Sequence, residues 1–465
     1  MARSRTPLGR LSAAYLGLSD TGEGRTRPWR ALNNKSFRRY FAGSVTSDFG
    51  TWLQNTAQVL LAYRLSHSVL VVGLVTCAQF SSPLVLGPWA GVMTDRFGGR
   101  RILLATQLVA AGFASLMAAL AFAGPLNVWW LGCGAVASGL AFTFALPARN
   151  VTVRRLVPAR DIRQAFAMDS VSYNLGRAVA PPVSVLLVTM LGFGWAFAAN
   201  AVSFLVFAVC LMLAGHGQPA ERREKSQLRA GFEVSCRDWR ITVLLLMVAA
   251  VTVADDPVLV LGPAVAAHLH ASSSWPGWFI AALGAGTVAG SLRRSKHKPS
   301  LRLAATALAL LAVCMMLFVL SPWVIGSFVA AFGAGFTCLV ANSATRTQLA
   351  TRAGPANEAS VMAVWAIAWA GSKPVASLGD GLLASHIGIK LTGVLLALPA
   401  LVPIVVLTAV LPALVLMTRS WQPSEGRWAA RHLDELQDRE WYRRAEELMA
   451  LGTRTKVPSE TPINS

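Results

Sequence analysis

Charged residues are scarce in this chain of 465 residues. Asp, Glu, Lys and Arg make up 14% of it, hydrophobic residues make up 54%, and the mean hydropathy is +0.51. An average soluble protein has roughly a quarter charged residues. This composition excludes a water-soluble fold. Backbone amides in lipid need partners within their own segment, so the long apolar runs are predicted to be helices.

Several signatures of catalysis and cofactor binding are missing. The six cysteines occur singly, without a C-x-x-C pair or a histidine at metal-ligand spacing, which predicts small core residues and no metal. There is no phosphate-binding loop and no Ser, His and Asp constellation, so we expect no cofactor and no enzyme activity. The Arg-rich residues 1–39 contain no apolar signal-peptide core, which makes the first apolar run an uncleaved insertion signal.

Twelve apolar runs are long enough to cross the bilayer, which needs roughly 20 helical residues. The sequence therefore predicts an all-α integral membrane protein with twelve transmembrane helices in two six-helix halves. The predicted spans are 40–61, 69–93, 102–123, 126–146, 170–191, 193–213, 241–266, 275–292, 301–320, 323–344, 360–385 and 391–416.

The positions of Lys and Arg predict the orientation of these spans. Of the 42 basic residues, 38 fall in the N-terminal segment and in the alternate segments on its side of the membrane. The opposite loops contain only Arg64 and Lys390, while Arg177 and Lys373 lie inside spans. By the positive-inside rule both termini are expected in the cytoplasm, with the chain in a plasma membrane. The net charge of +20 thus points to the lipid bilayer as partner and not to nucleic acid.

Five segments follow from this topology. The longest internal loop separates the two halves, and apolar residues in it, including Leu228 and Phe232, favour a helix on the membrane surface. Tryptophan and leucine in 419–450 recur at spacings that suit an amphipathic tail helix. The predicted segments are 1–39 (basic N-terminal segment), 40–213 (first bundle), 214–240 (cytoplasmic connector), 241–416 (second bundle) and 417–465 (amphipathic tail).

The loop after the second span resembles the signature of the major facilitator superfamily, G-x-x-x-D-R-x-G-R-R. The matching residues are Gly91, Asp95, Arg96, Gly98, Arg100 and Arg101, with Gly99 inserted before the paired arginines. The resemblance implies the facilitator fold and a conformational latch at this loop. Gly91 is expected to allow close helix packing, Gly98 a tight turn, and Asp95 a bond to a helix terminus or a nearby arginine.

The fifth span resembles the glycine and proline motif of the superfamily's bacterial efflux branch, which includes enterobactin exporters and macrolide efflux pumps. The matching residues are Asn174, Gly176, Arg177, Pro181 and Pro182. Two glycines expected by the motif are replaced by Ala180 and Ser184, which are also small. A cluster expected at the start of the eleventh helix is replaced by the segment 355–358, so the second half departs from the family pattern there.

Six ionisable residues lie within the predicted spans and are expected to face the bundle interior, because a charge at the bilayer centre is costly. Counting about 1.5 Å per residue from each span end puts Asp48 beside Arg177, and Lys373 beside Asp255 or Asp256. Either pairing could couple protonation to opening or could be a permanent structural ion pair. Asp380 is expected to be solvated near the outer mouth.

A substrate cavity is predicted from aromatic and amide side chains within spans. These suit an amphipathic ligand that contains rings. The candidates are Trp52, Gln54, Gln58, Gln79, Trp365 and Trp369.

Taken with the resemblance, the sequence favours a monomeric secondary transporter that exports an amphipathic small molecule, such as an antibiotic, a siderophore or another secondary metabolite, in exchange for protons. An importer of a nutrient or metabolite with the same fold remains open. So does a transport-dead membrane scaffold or sensor that acts through the tail.

Overall fold

The computed structural model describes residues 30–215, 228–292 and 300–406. Helices joined by short turns account for nearly all of these residues, and the described part of the chain contains no strand. The first half has six long helices, which confirms that part of the predicted all-α fold. They are α1 (Lys35–Ser66), α2 (Val69–Phe97), α3 (Gly99–Ala123), α4 (Val128–Leu156), α5 (Ile162–Leu191) and α6 (Phe193–Leu213).

A short helix, α7, leads into the second half. Its helices are α7 (Leu228–Arg237), α8 (Trp239–Asp255), α9 (Pro257–Val260), α10 (Gly262–His268), α11 (Trp275–Leu292), α12 (Leu301–Leu320), α13 (Val324–Ile387), α14 (Ile389–Ala397) and α15 (Val402–Val405). α8 to α10 form one interrupted passage, α13 is two passages that meet at a kink, and α14 and α15 belong to the last. The described residues therefore make twelve helical passages, of which nine are individually long and apolar enough to cross a membrane. The predicted tail helix at 419–450 lies outside the described residues.

Local sequence chemistry sets several helix ends. Asn34 begins α1 and Asn127 begins α4, and each side chain accepts hydrogen bonds from two backbone amides of the first turn. Asp238 caps α8 in the same way through the amide of Arg240. Such caps satisfy donors that have no partner within the helix.

Several helices extend beyond the spans predicted from the sequence. α4 continues to Leu156 instead of ending near 146, and α5 begins at Ile162 instead of 170. The predicted loop 345–359 is helical except for a kink at Gly354, whose φ of 68° favours glycine. A length estimate from hydropathy marks only the hydrocarbon slab, whereas a helix can continue through charged residues into the water layer. We call the end of the bundle that carries these extensions the basic side and the other end the opposite side.

The two halves pack against each other mainly through α2 with α13 and α5 with α11. Among the described glycines, close approaches between the halves lie between mid-depth and the opposite side. A Cβ on Gly73 would fall 2.4 Å from the carbonyl oxygen of Ser377, and one on Gly277 would overlap Val185. Near the basic end of α2, by contrast, Gly91 has open space around it. The described close contacts between the halves thus lie toward the opposite side, which we call the closed side. We call the region between the halves toward the basic side, where the described glycines make no such contact, the cleft.

Candidate functional site: buried charges between the halves

One ion pair joins the two halves at the closed side of the cleft. Arg177 of α5 donates from Nη2 to Oδ2 of Asp255 at the end of α8, over 2.8 Å. The side chains are 17% and 9% exposed. The guanidinium also lies 5.7 Å from the ring of Trp52, which packs edge-on against Tyr173. Separating the halves at this side requires that this buried pair break.

The prediction that Arg177 pairs with Asp48 is wrong, and the longer α5 explains why. Arg177 lies 15 residues after Ile162, and Asp255 lies 16 residues after Trp239. Both helices start at the basic side, so at 1.5 Å per residue the two side chains share a depth of about 22–24 Å. The sequence estimate began α5 eight residues too late and therefore placed Arg177 too shallow.

A second ion pair lies beside the first but within the second half. Lys373 of α13 places Nζ 2.5 Å from Oδ1 of Asp256, whose other oxygen accepts a hydrogen bond from Ser377 over 2.6 Å. This agrees with the predicted pairing of Lys373 with Asp255 or Asp256. The Lys373 ammonium also lies 6.0 Å from the ring of Phe80 of α2, in the first half. Asp256 itself is fully buried.

The backbone is interrupted where the two aspartates lie. The seventh passage breaks at Asp256 and again at Leu261, each followed within two residues by a proline. Pro257 and Pro263 have no backbone N–H, so the carbonyls of Val253 and Leu259 lose their usual helical donors. Discontinuous helices of this kind are common at the ion and substrate sites of transporters.

Asp380 is not at a solvated outer mouth as the sequence suggested. The residue is 0% exposed, and neither carboxylate oxygen has a hydrogen-bond partner among the described residues. α13 packs here directly against the start of α2, where Gly381 touches Leu70. This close helix contact excludes the water that a position near the helix end would otherwise suggest.

Asp48 forms a separate network inside the first half. Its Oδ1 accepts a hydrogen bond from Nη1 of Arg149 over 2.9 Å, and its Oδ2 accepts one from Ser172 over 2.5 Å. Arg149 also bonds to Ser44, and Ser44 donates to Asp169 over 3.2 Å. Sequence reasoning missed Arg149 because it assigned this residue to a loop after the fourth span. The extension of α4 to Leu156 instead carries it into the bundle.

The motif of the fifth span positions α5 against α1. A Cβ on Gly176 would lie 3.0 Å from the backbone of Asp48, so only glycine permits this approach without a shift. Ser184, at an expected glycine position, is fully buried and donates to the carbonyl of Leu53 over 2.7 Å. Asn174 bonds to the carbonyl of Ser170 within its own helix. The consecutive prolines Pro181 and Pro182 lie inside α5.

The signature loop between α2 and α3 is only partly as expected. Gly98 has a φ of 87° and makes the tight turn that was predicted. Arg100 donates to the carbonyls of Leu211 and Met212, so it caps the last turn of α6. A Cβ added at Gly91 would meet no atom of a neighbouring helix within 4 Å, contrary to the expected close packing.

Three charged residues of this loop, Asp95, Arg96 and Arg101, are exposed. Asp95 is exposed and makes no ion pair or hydrogen bond with the described residues, so the expected bond to an arginine or a helix terminus is absent. Arg96 lies over the ring of the adjacent Phe97, and Arg101 is exposed. A latch role for this loop remains a prediction.

The predicted cavity residues separate into different environments. Gln54 is buried and accepts a hydrogen bond from Asn200 of α6 over 2.7 Å, a position that argues against substrate contact. Gln58 is also buried. Gln79 is partly exposed and donates to Asn55 of α1 over 3.0 Å.

Trp365 and Trp369 form a parallel pair one helical turn apart on α13. Their ring centroids are 6.4 Å apart, with an interplanar angle of 10°. The guanidinium of Arg346 lies 4.8 Å from the ring centroid of Trp365. Both tryptophans are partly exposed, and the buried indole nitrogen of Trp365 has no hydrogen-bond partner within the described ranges. This group can contact a ligand that carries both rings and polar atoms.

In the parts of the chain that the structure describes, no group of three or more His, Cys, Asp or Glu side chains could hold a metal ion.

Comparison with solved structures identifies the fold. A bacterial homologue of the human lysosomal transporter Spinster, in an inward-facing and unoccupied conformation, superimposes with a TM-score of 0.64 at 14% identity, over 79% of this chain and 95% of that one. The POT family transporter PepTSo gives a TM-score of 0.63 at 12% identity, over 84% and 99% of the two chains. At these identities the likeness concerns the fold alone.

The relatives found by sequence match a smaller share of this chain than the solved structures do. The uncharacterised MFS-type transporter YfiS of Bacillus subtilis is 27% identical over 180 residues, which are 38% of this chain and 42% of that protein. The enterobactin exporter EntS of Escherichia coli O1:K1 is 27% identical over 303 residues, which are 63% of this chain and 71% of the exporter. The family model described as transmembrane secretion effector matches residues 26–440. The chain therefore belongs to the transmembrane secretion effector family of the major facilitator superfamily, and it is a multi-pass membrane transporter rather than an enzyme.

Proposed function

We propose that this transporter exports amphipathic small molecules in exchange for protons. The observation that carries the proposal is the buried ion pair between Arg177 and Asp255, which joins the two halves at the closed side of the cleft. A transporter that opens to each side in turn must break this pair once per cycle. Truncating one partner of a buried pair costs about 3–5 kcal/mol, so separation needs a compensating event. Protonation of Asp255 from the opposite side compensates for this loss once the halves part there, because the neutral acid no longer holds the arginine as an ion pair. The pair re-forms when that proton leaves into the cleft, so protons move against the exported substrate.

The surroundings of these charges suit an amphipathic substrate. Trp365 and Trp369 offer a broad aromatic surface beside the cation of Arg346. Near Arg177, the partly exposed ring of Tyr173 packs against the buried ring of Trp52. Aromatic faces bind rings, while the arginines bind negative or polar groups. The family description and the name of the distant relative EntS support secretion over uptake.

The proposed orientation puts the basic side in the cytoplasm of a bacterial cell, with both termini there. Its support is the distribution of Lys and Arg, of which 38 of 42 lie in segments on that side or in the terminal segments. In this orientation the cleft of the present structure faces the cytoplasm, from which an exporter takes its substrate.

Growth inhibition and vesicle transport together test the proposal. A strain that lacks the gene would be profiled against many compounds, and a compound that inhibits it more than the parent would be used in everted membrane vesicles with an acidic lumen. We expect the compound to accumulate in the lumen and to leave when the pH gradient is collapsed. Depletion from the lumen would indicate an importer. Absence of flux for every compound, together with a phenotype that disappears on removal of residues 419–465, would indicate a scaffold or sensor.

A matched pair of variants tests the role of the cross-half ion pair. D255N removes the titratable group and is expected to abolish accumulation driven by the pH gradient. D238N changes a carboxylate that caps α8, where asparagine can also accept the amide hydrogen bond, and is expected to transport normally. Accumulation by D255N equal to that of D238N would remove Asp255 from the coupling mechanism.

A further inference from the structure

Asp380 has the environment of a carboxyl group that holds a proton. Its side chain is completely buried, and both oxygens lack a hydrogen-bond partner among the described residues. An ionised carboxylate removed from water is strongly unfavourable unless it is paired and hydrogen-bonded. The nearby ammonium of Lys373 is already bound to Asp256 over 2.5 Å.

The balance of charge around Asp380 points the same way. The described cluster between the halves contains two cations, Arg177 and Lys373, and three carboxyl groups, Asp255, Asp256 and Asp380. Asp255 and Asp256 each have a cationic partner. With all three carboxyl groups ionised, the cluster would hold one uncompensated negative charge in a water-poor interior. One bound proton removes this charge.

The neighbouring helices bring no further cation to Asp380 within the described ranges. On α13, Lys373, Ser377 and Asp380 lie on one face, at spacings of four and three residues. The interrupted seventh passage brings Asp256 to this face, where Ser377 bonds to it. In the part of α2 that packs against α13, the titratable side chain is that of Cys77. In the described part of the last passage the titratable residue is Lys390, which is exposed near the opposite side.

We infer that Asp380 is a proton-binding site of the transporter, occupied when the halves are closed at the opposite side. This inference rests on the proposed proton-coupled transport and names a residue that binds the coupling ion. The step is a simple protonation, in which one proton from water adds to one carboxylate oxygen and leaves again as a proton. Asp256 and Lys373 remain an ion pair in the protonated state.

The site couples proton binding to conformation through charge. Loss of the proton leaves three carboxylates for two cations, so the closed arrangement becomes less favourable than one in which water reaches the cluster. Binding of a proton restores the balance and favours closure. Gly73 and Gly381, which hold α2 against α13 beside this cluster, are the contacts that such opening would separate.

Infrared spectroscopy tests the protonation directly and needs no substrate. The full-length protein would be purified in lipid nanodiscs, and the carbonyl absorption of protonated carboxyl groups would be compared at neutral pH for wild type, D380N and the control D238N. We expect the wild-type band to lose intensity in D380N and to be unchanged in D238N. An identical carboxylic acid band in wild type and D380N would overturn the inference.

Transport by the same variants gives a second readout. Asparagine mimics the protonated acid, so D380N is expected to lose at least about tenfold in accumulation driven by the pH gradient and to retain downhill exchange of the compound. D380E, which keeps a titratable group, is expected to recover part of the accumulation. Accumulation by D380N equal to wild type would refute the site. If transport by the wild type does not respond to pH, the proposed function is refuted. The infrared measurement would still show whether Asp380 is protonated.

Discussion

Breaking the ion pair between Arg177 and Asp255 should shift the transporter toward a state that is open at the opposite side. The change is D255N, which leaves Arg177 buried without its 2.8 Å partner. Removing one member of a buried pair costs about 3–5 kcal/mol. We take the lower end, because the arginine is 17% exposed and keeps its contact with the ring of Trp52.

The substitution destabilises only the conformation that is closed at the opposite side. When the halves separate at the opposite side, Arg177 gains water and no longer needs the carboxylate. A cost of about 3 kcal/mol in the closed state therefore changes the ratio of open to closed molecules by about 100-fold, at 1.4 kcal/mol for each factor of ten. A wild-type population that is nearly all closed would become mixed or mostly open.

Distance measurements between spin labels can detect this shift. Pro125 and Ser273 are exposed in loops at the opposite side, one in each half, and can be replaced by labelled cysteines. The exposed native thiols of Cys133 and Cys236 would be removed first, by substitution with serine. In D255N we expect the population of long distances to rise, and in the double variant R177Q/D255N we expect it to return part of the way.

The control is an ion pair of similar geometry that does not cross the halves. D48N weakens the 2.9 Å pair with Arg149, which lies entirely in the first half. It should lower thermal stability without changing the distance distribution. An unchanged distribution in D255N, or an equal shift in D48N, would refute the reasoning.

Four further substitutions test the packing of the first half, each measured as thermal stability of the purified protein in detergent. G176L places a side chain where a Cβ would already lie 3.0 Å from the backbone of Asp48, and it should lower the free energy of unfolding by about 1–3 kcal/mol. An unchanged melting temperature would contradict the close approach of α5 to α1. G98A should lower the free energy of unfolding by about 1 kcal/mol, because the φ of 87° at this position strains alanine. G91A should leave it unchanged, because nothing lies within 4 Å of an added Cβ. Equal effects of the two substitutions would contradict the described turn. S184A should cost about 1 kcal/mol through loss of its hydrogen bond to Leu53, and no loss would show that the bond contributes nothing.

The sequence determined the fold of this protein at the level of its helices. Apolar runs of about 20 residues must be helical in lipid, so the number of passages followed from composition alone. The pattern between Gly91 and Arg101 identified the superfamily, which the family model and the solved structures confirm. Of the six intramembrane charged residues that the sequence marked, the structure gathers five between the halves, because burying a charge is too costly to occur without a partner. The sixth, Asp48, lies in a separate network of the first half.

The tertiary structure decided which of those charges meet. Depths counted from predicted span ends paired Asp48 with Arg177, but α4 and α5 extend beyond the hydrocarbon slab and bring Arg149 to Asp48 and Arg177 to Asp255. Burial of Asp380 likewise depends on the close contact of α13 with α2, two helices about 300 residues apart in sequence. Hydropathy reports how well each segment partitions into lipid, whereas ion pairing depends on the rotation and crossing of helices, which are set by packing between distant segments.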